Sequence, residues 1–135
     1  MTFKVFLDTN MLMITAEKRV DIFRQIETIL QGKIEFIAPK IVLSELSAIA
    51  HERSQRGRHA ELALRLAKRC KSSQGNPTPG ESADEYLTRV AREKGGIVAT
   101  GDAELRKRLR NANMPVIYVR KDLRLAIEGI EPTYR

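Results

Sequence analysis

The chain has 135 residues, 42% hydrophobic and 30% charged, with a formal net charge of +7; that size and balance suit one globular domain, residues 1–135, around one core. A single cysteine, Cys70, excludes an internal disulfide and a Cys-rich zinc site. The apolar run 3–7 is too short for a signal peptide and no run approaches the ~20 apolar residues of a membrane span, which predicts a cytoplasmic protein without membrane attachment.

Residues 3–7 (FKVFL) read as a buried strand of a parallel sheet, and Asp8 falls at its carboxyl end. In open α/β sheets ligands bind at that end. A charge there must be paired, metal-bound or exposed in a cleft, because burying it alone is costly. Residues 21–30 place Ile22, Phe23, Ile26, Ile29 and Leu30 at helical spacing behind the cap Asp21, and Gly32 ends the helix. Residues 34–38 form a second strand. Pro39 stands where a helix starts; that helix runs to about Gln55, and Gly57 breaks it. Residues 58–71 are amphipathic, with Leu62, Leu66 and Cys70 on one stripe, and 72–80 (SSQGNPTPG) is a loop by composition. Ser82 and Glu85 form a capping-box pattern for a helix that ends at Gly95-Gly96. A third strand at 97–99, a basic helix at 102–111 and a fourth strand at 116–119 follow, and the last few residues read as a loose tail. Strands alternating with helices predict a parallel sheet covered on both faces.

Four carboxylates stand out, each with a bland reading beside the functional one. Glu45 lies between Ile41 and Ile49 on the helix surface, with Val42 and Leu46 flanking the arc, in the middle of the core-facing stripe. It is either a buried Glu paired with an Arg or a carboxylate lining a polar pocket at the edge of the core. Asp84 sits at the margin of the face formed by Ala83, Leu87, Val90 and Ala91, in a first turn whose dipole alone favours an anion. Glu85 points toward solvent and reads as a cap; Glu81 precedes the helix, and nothing requires it at the site. Asp102 follows the third strand through Thr100-Gly101, where an N-cap explains it equally well. Thr100 and Asn10 offer hydroxyl and amide groups that orient carboxylates or waters. Four carboxylates near one point repel one another, and a divalent cation removes that repulsion. All-oxygen ligands suit Mg²⁺ or Mn²⁺, which acidify a bound water and stabilise charge on a phosphate.

The cations are unevenly spread. Residues 51–71 hold seven Lys or Arg against Glu52 and Glu61, and residues 104–124 hold seven against Glu104 and Asp122. Basic flanks around an acidic centre suit a polyanion held beside a metal site, although a solvated surface helix explains them as well. Arg53, Arg56, Arg58, Arg106, Lys107 and Arg110 are the candidate contacts for such a polyanion, which the resemblance below makes RNA. His51 and His59 lie in polar, Arg-rich sequence and read as surface residues rather than ligands or bases. Cys70 is a small helix-face hydrophobe.

With these pieces in place, the chain resembles the PIN-domain family of nucleases. The matching segments are FLDTN at 6–10, PKIVLSEL at 39–46, SADEYL at 82–87 and IVATGDAELRKRL at 97–109, in the family's order and spanning nearly the whole chain. The resemblance implies a three-layer α/β/α sandwich with a central parallel sheet and a Mg²⁺- or Mn²⁺-dependent ribonuclease site. It carries the family's acidic residues onto Asp8, Glu45, Asp84 and Asp102, with Asp8, Asp84 and Asp102 on the metal, and its small hydroxyl residues onto Thr9 and Thr100. A family position that is often a second Asp is Glu85 here, kept as a supporting candidate with Asn10. Gly101-Asp102-Ala103 departs from the Asn or Arg often found around the last Asp. The implied relatives are small stand-alone members, either archaeal proteins related to rRNA-processing PIN proteins or the VapC toxin branch. The implied partners are single-stranded RNA, an antitoxin protein for the toxin branch, and a second copy in a homodimer.

Two other classes compete. A non-catalytic RNA-binding or scaffold module would keep the fold without needing the carboxylates. A phosphotransfer domain of the haloacid dehalogenase type needs a second Asp two residues after the first, where Asn10 stands, and a receiver domain needs an acidic pair that Asp8-Thr9 does not supply.

Overall fold

The apolar segments assemble into one five-stranded sheet, and the amphipathic helices cover both of its faces. The computed structural model describes residues 2–73 and 75–130. The strands are β1 (Thr2–Leu7), β2 (Lys33–Ile37), β3 (Ile97–Thr100), β4 (Val116–Val119) and β5 (Leu125–Glu128), in spatial order β2-β1-β3-β4-β5. β1 pairs in parallel with β2 and β3, and β3 with β4. Successive side chains face opposite sides of a strand. Val5, Leu7, Ile97, Ala99 and Ile117 therefore enter one core, with Leu12, Phe23, Ile26, Val42 and Leu46. Phe6, Val98 and Val116 enter the other, with Leu87, Val90, Leu105 and Leu109. Helices α1 (Thr9–Lys18), α2 (Ile22–Leu30), α3 (Lys40–Ala50) and α4 (Gln55–Ala67) cover the first face; α5 (Ala83–Lys94) and α6 (Ala103–Asn111) cover the second. The result is the expected α/β/α sandwich.

Helix starts follow the expected chemistry. Asp21 Oδ1 accepts from Arg24 N at 3.1 Å. The reciprocal Ser82–Glu85 capping box is formed, and Gly95 ends α5 at φ 66°, a left-handed conformation that glycine adopts without cost.

Four details differ from the sequence reading. α1 was not expected: Met11–Ile14 is apolar on every side, so its buried stripe of Met11, Leu12, Thr15 and Ala16 gives little periodic contrast. α3 ends at Ala50, and α4 starts at Gln55 behind the cap Ser54 and runs through Gly57. Gly57 marks a close approach, not a break, since a Cβ there would collide with the Glu52 carbonyl. The buried stripe of α4 is Gly57, Ala60, Ala63 and Ala67, whereas Leu62 is 39% exposed; small residues let α4 lie close against its neighbours. β5 is an unexpected antiparallel strand, so the sheet is not wholly parallel. Gln25 Oε1 accepts from Leu125 N at 2.9 Å at the start of that strand. The final residues read as a tail lie, from 131 onward, outside the described residues.

β1 and β3 end side by side. Leu7 pairs with Ala99, and Asp8 N donates to Ala99 O at 3.2 Å. Asp8 and Thr100 are thus adjacent at the carboxyl edge of the sheet, next to the starts of α1 and α6.

Candidate active site

Asp8 is only 6% exposed. As the N-cap of α1 it accepts from Met11 N through Oδ1 at 2.7 Å, and Thr100 Oγ1 donates to Oδ2. Burial dominates its electrostatics and lifts its pKa to about 7. The two hydrogen bonds pull it down; the nearby Asp84 and Asp102 charges push it up.

Thr100 joins two of the carboxylates. It is fully buried, and its hydroxyl, while donating to Asp8, accepts from Asp102 N at 2.9 Å. Asp102 is also the N-cap of α6, accepting from Glu104 N at 2.8 Å and Leu105 N at 3.3 Å, both through Oδ1. Its capping role and its place at the site coexist. At Gly101, where the local sequence departs from the expected one, a Cβ would push aside the ends of the Asn10 and Ile14 side chains. Glycine lets the β3–α6 turn close against α1.

Asp84 and Glu45 reach the same place from opposite faces of the sheet. Asp8, Glu45, Asp84 and Asp102 all line one open cavity of about 510 Å³, with Thr9 and Asn10. Glu45 does not occupy the core-facing stripe. Val42 and Leu46 are buried, whereas Glu45 is exposed into the cavity, and it makes no ion pair among the described residues. The open cavity admits water, which is why a carboxylate tolerates that position. Its pKa is still raised, first by partial desolvation and then by Asp84, with the Thr9 hydroxyl pulling the other way. Asp84 is raised by burial and by Asp102, against the opposing Arg108.

Two observations fit a hard cation here. Three of the carboxylates carry raised pKa values, and the Thr9 hydroxyl is buried without a formed hydrogen bond, approaching Glu45 too loosely to make one. Among the described residues, however, no three His, Cys, Asp or Glu side chains converge tightly enough to hold an ion by themselves. Direct capture by Asp8, Asp84 and Asp102 together is not preformed. The donor set fits a cation that keeps much of its water shell and takes one or two carboxylates, as Mg²⁺ does.

Other candidates lie elsewhere. Glu85 is exposed and spent on the Ser82 cap, off the cavity wall. Glu81 pairs with Arg89 at 2.8 Å, which holds its carboxyl down at about 2. Of the six cations proposed for RNA, only Arg56 lines the cavity. Arg106 and Arg110 both grip Glu128 of β5, and Arg106 stacks 3.4 Å over the Tyr118 ring. Arg58 donates to Gln55 Oε1 at 3.2 Å, while Arg53 and Lys107 are exposed away from the carboxylates. His51 donates to or accepts nothing at the cavity; its ring meets Ser47 O at 2.7 Å. His59, expected on the outer surface, instead lines the cavity, as do Gln55 and Glu17. Once helix spans are known the signal is simple: Asn10, Met13 and Glu17 share one face of α1, and Gln55 and His59 share one face of α4.

Comparison with known proteins agrees with this fold. A family model described as "PIN like domain" matches residues 5–122. Ribonuclease VapC4 of Methanocaldococcus jannaschii is 30% identical over 130 residues, covering 95% of this chain and 98% of its own. The rRNA-processing protein FCF1 of Saccharomyces cerevisiae is 33% identical over 114 residues, covering 80% of this chain and 54% of its own. The structure of the PIN domain endonuclease Utp24 superposes with a TM-score of 0.75 at 24% identity, covering 98% of this chain and 96% of its own; at that identity it shows the fold.

Proposed function

This chain belongs to the PIN-like domain family, and we propose that it is an endoribonuclease dependent on Mg²⁺ or Mn²⁺, working on single-stranded RNA. The observation that carries the reading is Asp8: a buried carboxylate at the end of β1, lifted to about 7, facing a cavity with three further carboxylates. Such a group is costly to keep without a partner for its charge. The ribonuclease names of relatives with similarity along nearly the whole chain point the same way.

In this reading Asp8, Asp84 and Asp102 would share a hydrated divalent ion, one or two of them directly and the rest through its water shell, and when bound that ion would acidify water and offset charge on the phosphate. Thr100 fixes the Asp8 carboxylate through Oδ2, and the α1 backbone fixes it through Oδ1. Glu45, solvent-accessible and raised in pKa, accepts the proton of the attacking water at its carboxylate. Thr9 and Asn10 orient groups at the mouth of α1, while Glu85 acts on the site only through the position of α5. The protein acts in RNA processing or as the ribonuclease of a toxin–antitoxin pair, in the second case with an antitoxin partner. A homodimer would widen the basic surface. Among the described residues, no helix is long and apolar enough to cross a membrane.

Cleavage of an unstructured RNA in Mn²⁺ by the wild type and by Asp8→Asn tests the assignment. The wild type is expected to cut and the variant to lose about a hundredfold or more of the rate, on the scale of a lost transition-state contact. Equal rates for the two proteins would remove Asp8 from the mechanism. The lack of a ready three-carboxylate cradle favours one second reading, a non-catalytic RNA-binding module. RNA binding with no cleavage in either metal would establish that reading.

A further inference from the structure

The carboxylates account for one side of the cavity. The first two turns of α4 contribute Gln55, Arg56 and His59 to the lining of the same cavity. Arg56 is the only Lys or Arg among the lining residues, in a cavity that also holds five carboxylates when Glu17 is counted. An RNA strand entering there meets repulsion from most of the lining. Besides the neutral Thr9 and Asn10 at the start of α1, the donors available to its phosphate oxygens come from α4.

The side chains of α4 are arranged for that task. Arg58 Nη1 donates to Gln55 Oε1 at 3.2 Å. That fixes the amide so that its Nε2 faces His59 Nε2, 3.3 Å away. An amide nitrogen only donates, so His59 Nε2 accepts and the ring proton resides on Nδ1. Among the described residues Nδ1 has no protein acceptor, unlike the ring of His51 on Ser47. His59 is half-buried, which limits how far its ring can turn. Arg56 is held only by an exposed i, i+4 pair with Glu52 at 3.0 Å, a contact weak enough to be exchanged for a phosphate.

We propose that Gln55, Arg56 and His59 form the strand-holding wall of the cavity, with His59 Nδ1–H and the Arg56 guanidinium donating to non-bridging phosphate oxygens of the RNA backbone. The proposal rests on the ribonuclease reading for the identity of its ligand. The wall holds the strand and carries out no bond-breaking step. Its contacts are made to the backbone, so they select for a single strand that can thread between α4 and α5 rather than for a base sequence.

The test is binding of a short fluorescein-labelled single-stranded RNA in EDTA by anisotropy, beside steady-state cleavage in Mn²⁺. His59→Ala is expected to weaken binding about three- to tenfold and Arg56→Ala about tenfold or more, the loss of one neutral and one charged donor. Arg56→Ala also lowers the slope of log affinity against log salt by about 1. His59→Asn, whose side-chain amide can place an N–H where the Nδ1–H stood, restores most of the loss. In cleavage, KM rises while kcat stays within about twofold, since uniform binding is what has been removed. Wild-type binding retained by His59→Ala and Arg56→Ala, with unchanged thermal midpoints, overturns the proposal even if the wild type cleaves. A wild type that binds but does not cut, with both variants weakened, upholds the wall and removes the nuclease reading. A wild type that does not bind RNA at all overturns both.

Discussion

Replacing Asp8 by Asn removes a charge that the metal-free fold holds at a cost. The carboxyl is lifted from 3.8 to about 7, chiefly by burial. Its folded-state pKa is higher than its unfolded one, so the folded protein binds the proton more tightly than the unfolded chain. The corresponding stability is complete below about pH 3.8 and is lost as pH rises through about 7. At about 1.4 kcal/mol per pH unit, the displacement corresponds to at most about 4 kcal/mol of stability lost between those limits. Water entering the open cavity trims this, and about 2 kcal/mol is a fair lower bound. Asn also mismatches its surroundings: it can accept from Met11 N, but its amide faces a Thr100 hydroxyl that had been donating, at a cost of about 1–3 kcal/mol at any pH. That constant offset cancels in a double difference. Urea unfolding of both proteins in EDTA at pH 4 and pH 8 should show the variant gaining about 2–4 kcal/mol on the wild type across the interval. Adding Mg²⁺ at pH 8 should then stabilise the wild type and leave the variant nearly unchanged. A double difference near zero, or of opposite sign, would refute the idea that Asp8 is a buried charge in need of a cation.

Two further outcomes follow from the same contacts. Thr100→Val leaves Asp8 Oδ2 without a donor and Asp102 N without an acceptor in a fully buried position, so it should cost about 1–3 kcal/mol in urea unfolding. With its lowering hydrogen bond gone, Asp8 should titrate higher than in the wild type by carbon-detected NMR; an unchanged or lower midpoint would show that the hydroxyl does not act on it. Glu85→Ala should cut RNA at the wild-type rate while melting at a lower temperature. The Ser82 backbone holds its carboxyl below the ordinary glutamate range, so the melting difference should be present at neutral pH and fade as pH falls below that range. A large loss of kcat in Glu85→Ala would instead place that carboxylate in the chemistry.

Much of the architecture was legible because strong local signals and the tertiary fold agree. The buried strands at β1, β3 and β4, the caps at Asp21 and Ser82 and the glycine stop at Gly95 each carry a distinct pattern. α1 was hidden by its continuous apolar run, and β5 by its composition: unlike β3 and β4 of the same length, Leu125–Glu128 has a single β-branched residue, and its Glu128 is tied to Arg106 and Arg110 rather than to any sequence-local partner. Helical wheels placed Asp84 at a face margin and Glu45 on the core-facing stripe, either ion-paired or lining a polar pocket; the pocket is what forms, and a wheel alone does not show that one end of that face opens onto a cavity. His59 was misread for the same reason from the other side. The exposed Arg56 and Arg58 around it mask the buried Gly57 and Ala60, and only the packing of α4 by those small residues brings it to the cavity.

The capping role of two carboxylates and the proposed catalytic one fit a single arrangement. Asp8 and Asp102 each give Oδ1 to the first backbone amides of a helix, α1 and α6. Each helix start thereby fixes one oxygen of its carboxylate and sets the direction of the other. Thr100 then couples the pair, taking the Asp102 amide while holding Asp8 Oδ2. A carboxylate free to rotate would lose orientational entropy on meeting a cation; these two have already lost it in folding. The same coupling predicts that damage propagates. A substitution that loosens the start of α6 should displace the Asp102 amide, free the Thr100 hydroxyl and so change the titration of Asp8, two strands' ends away from the altered helix.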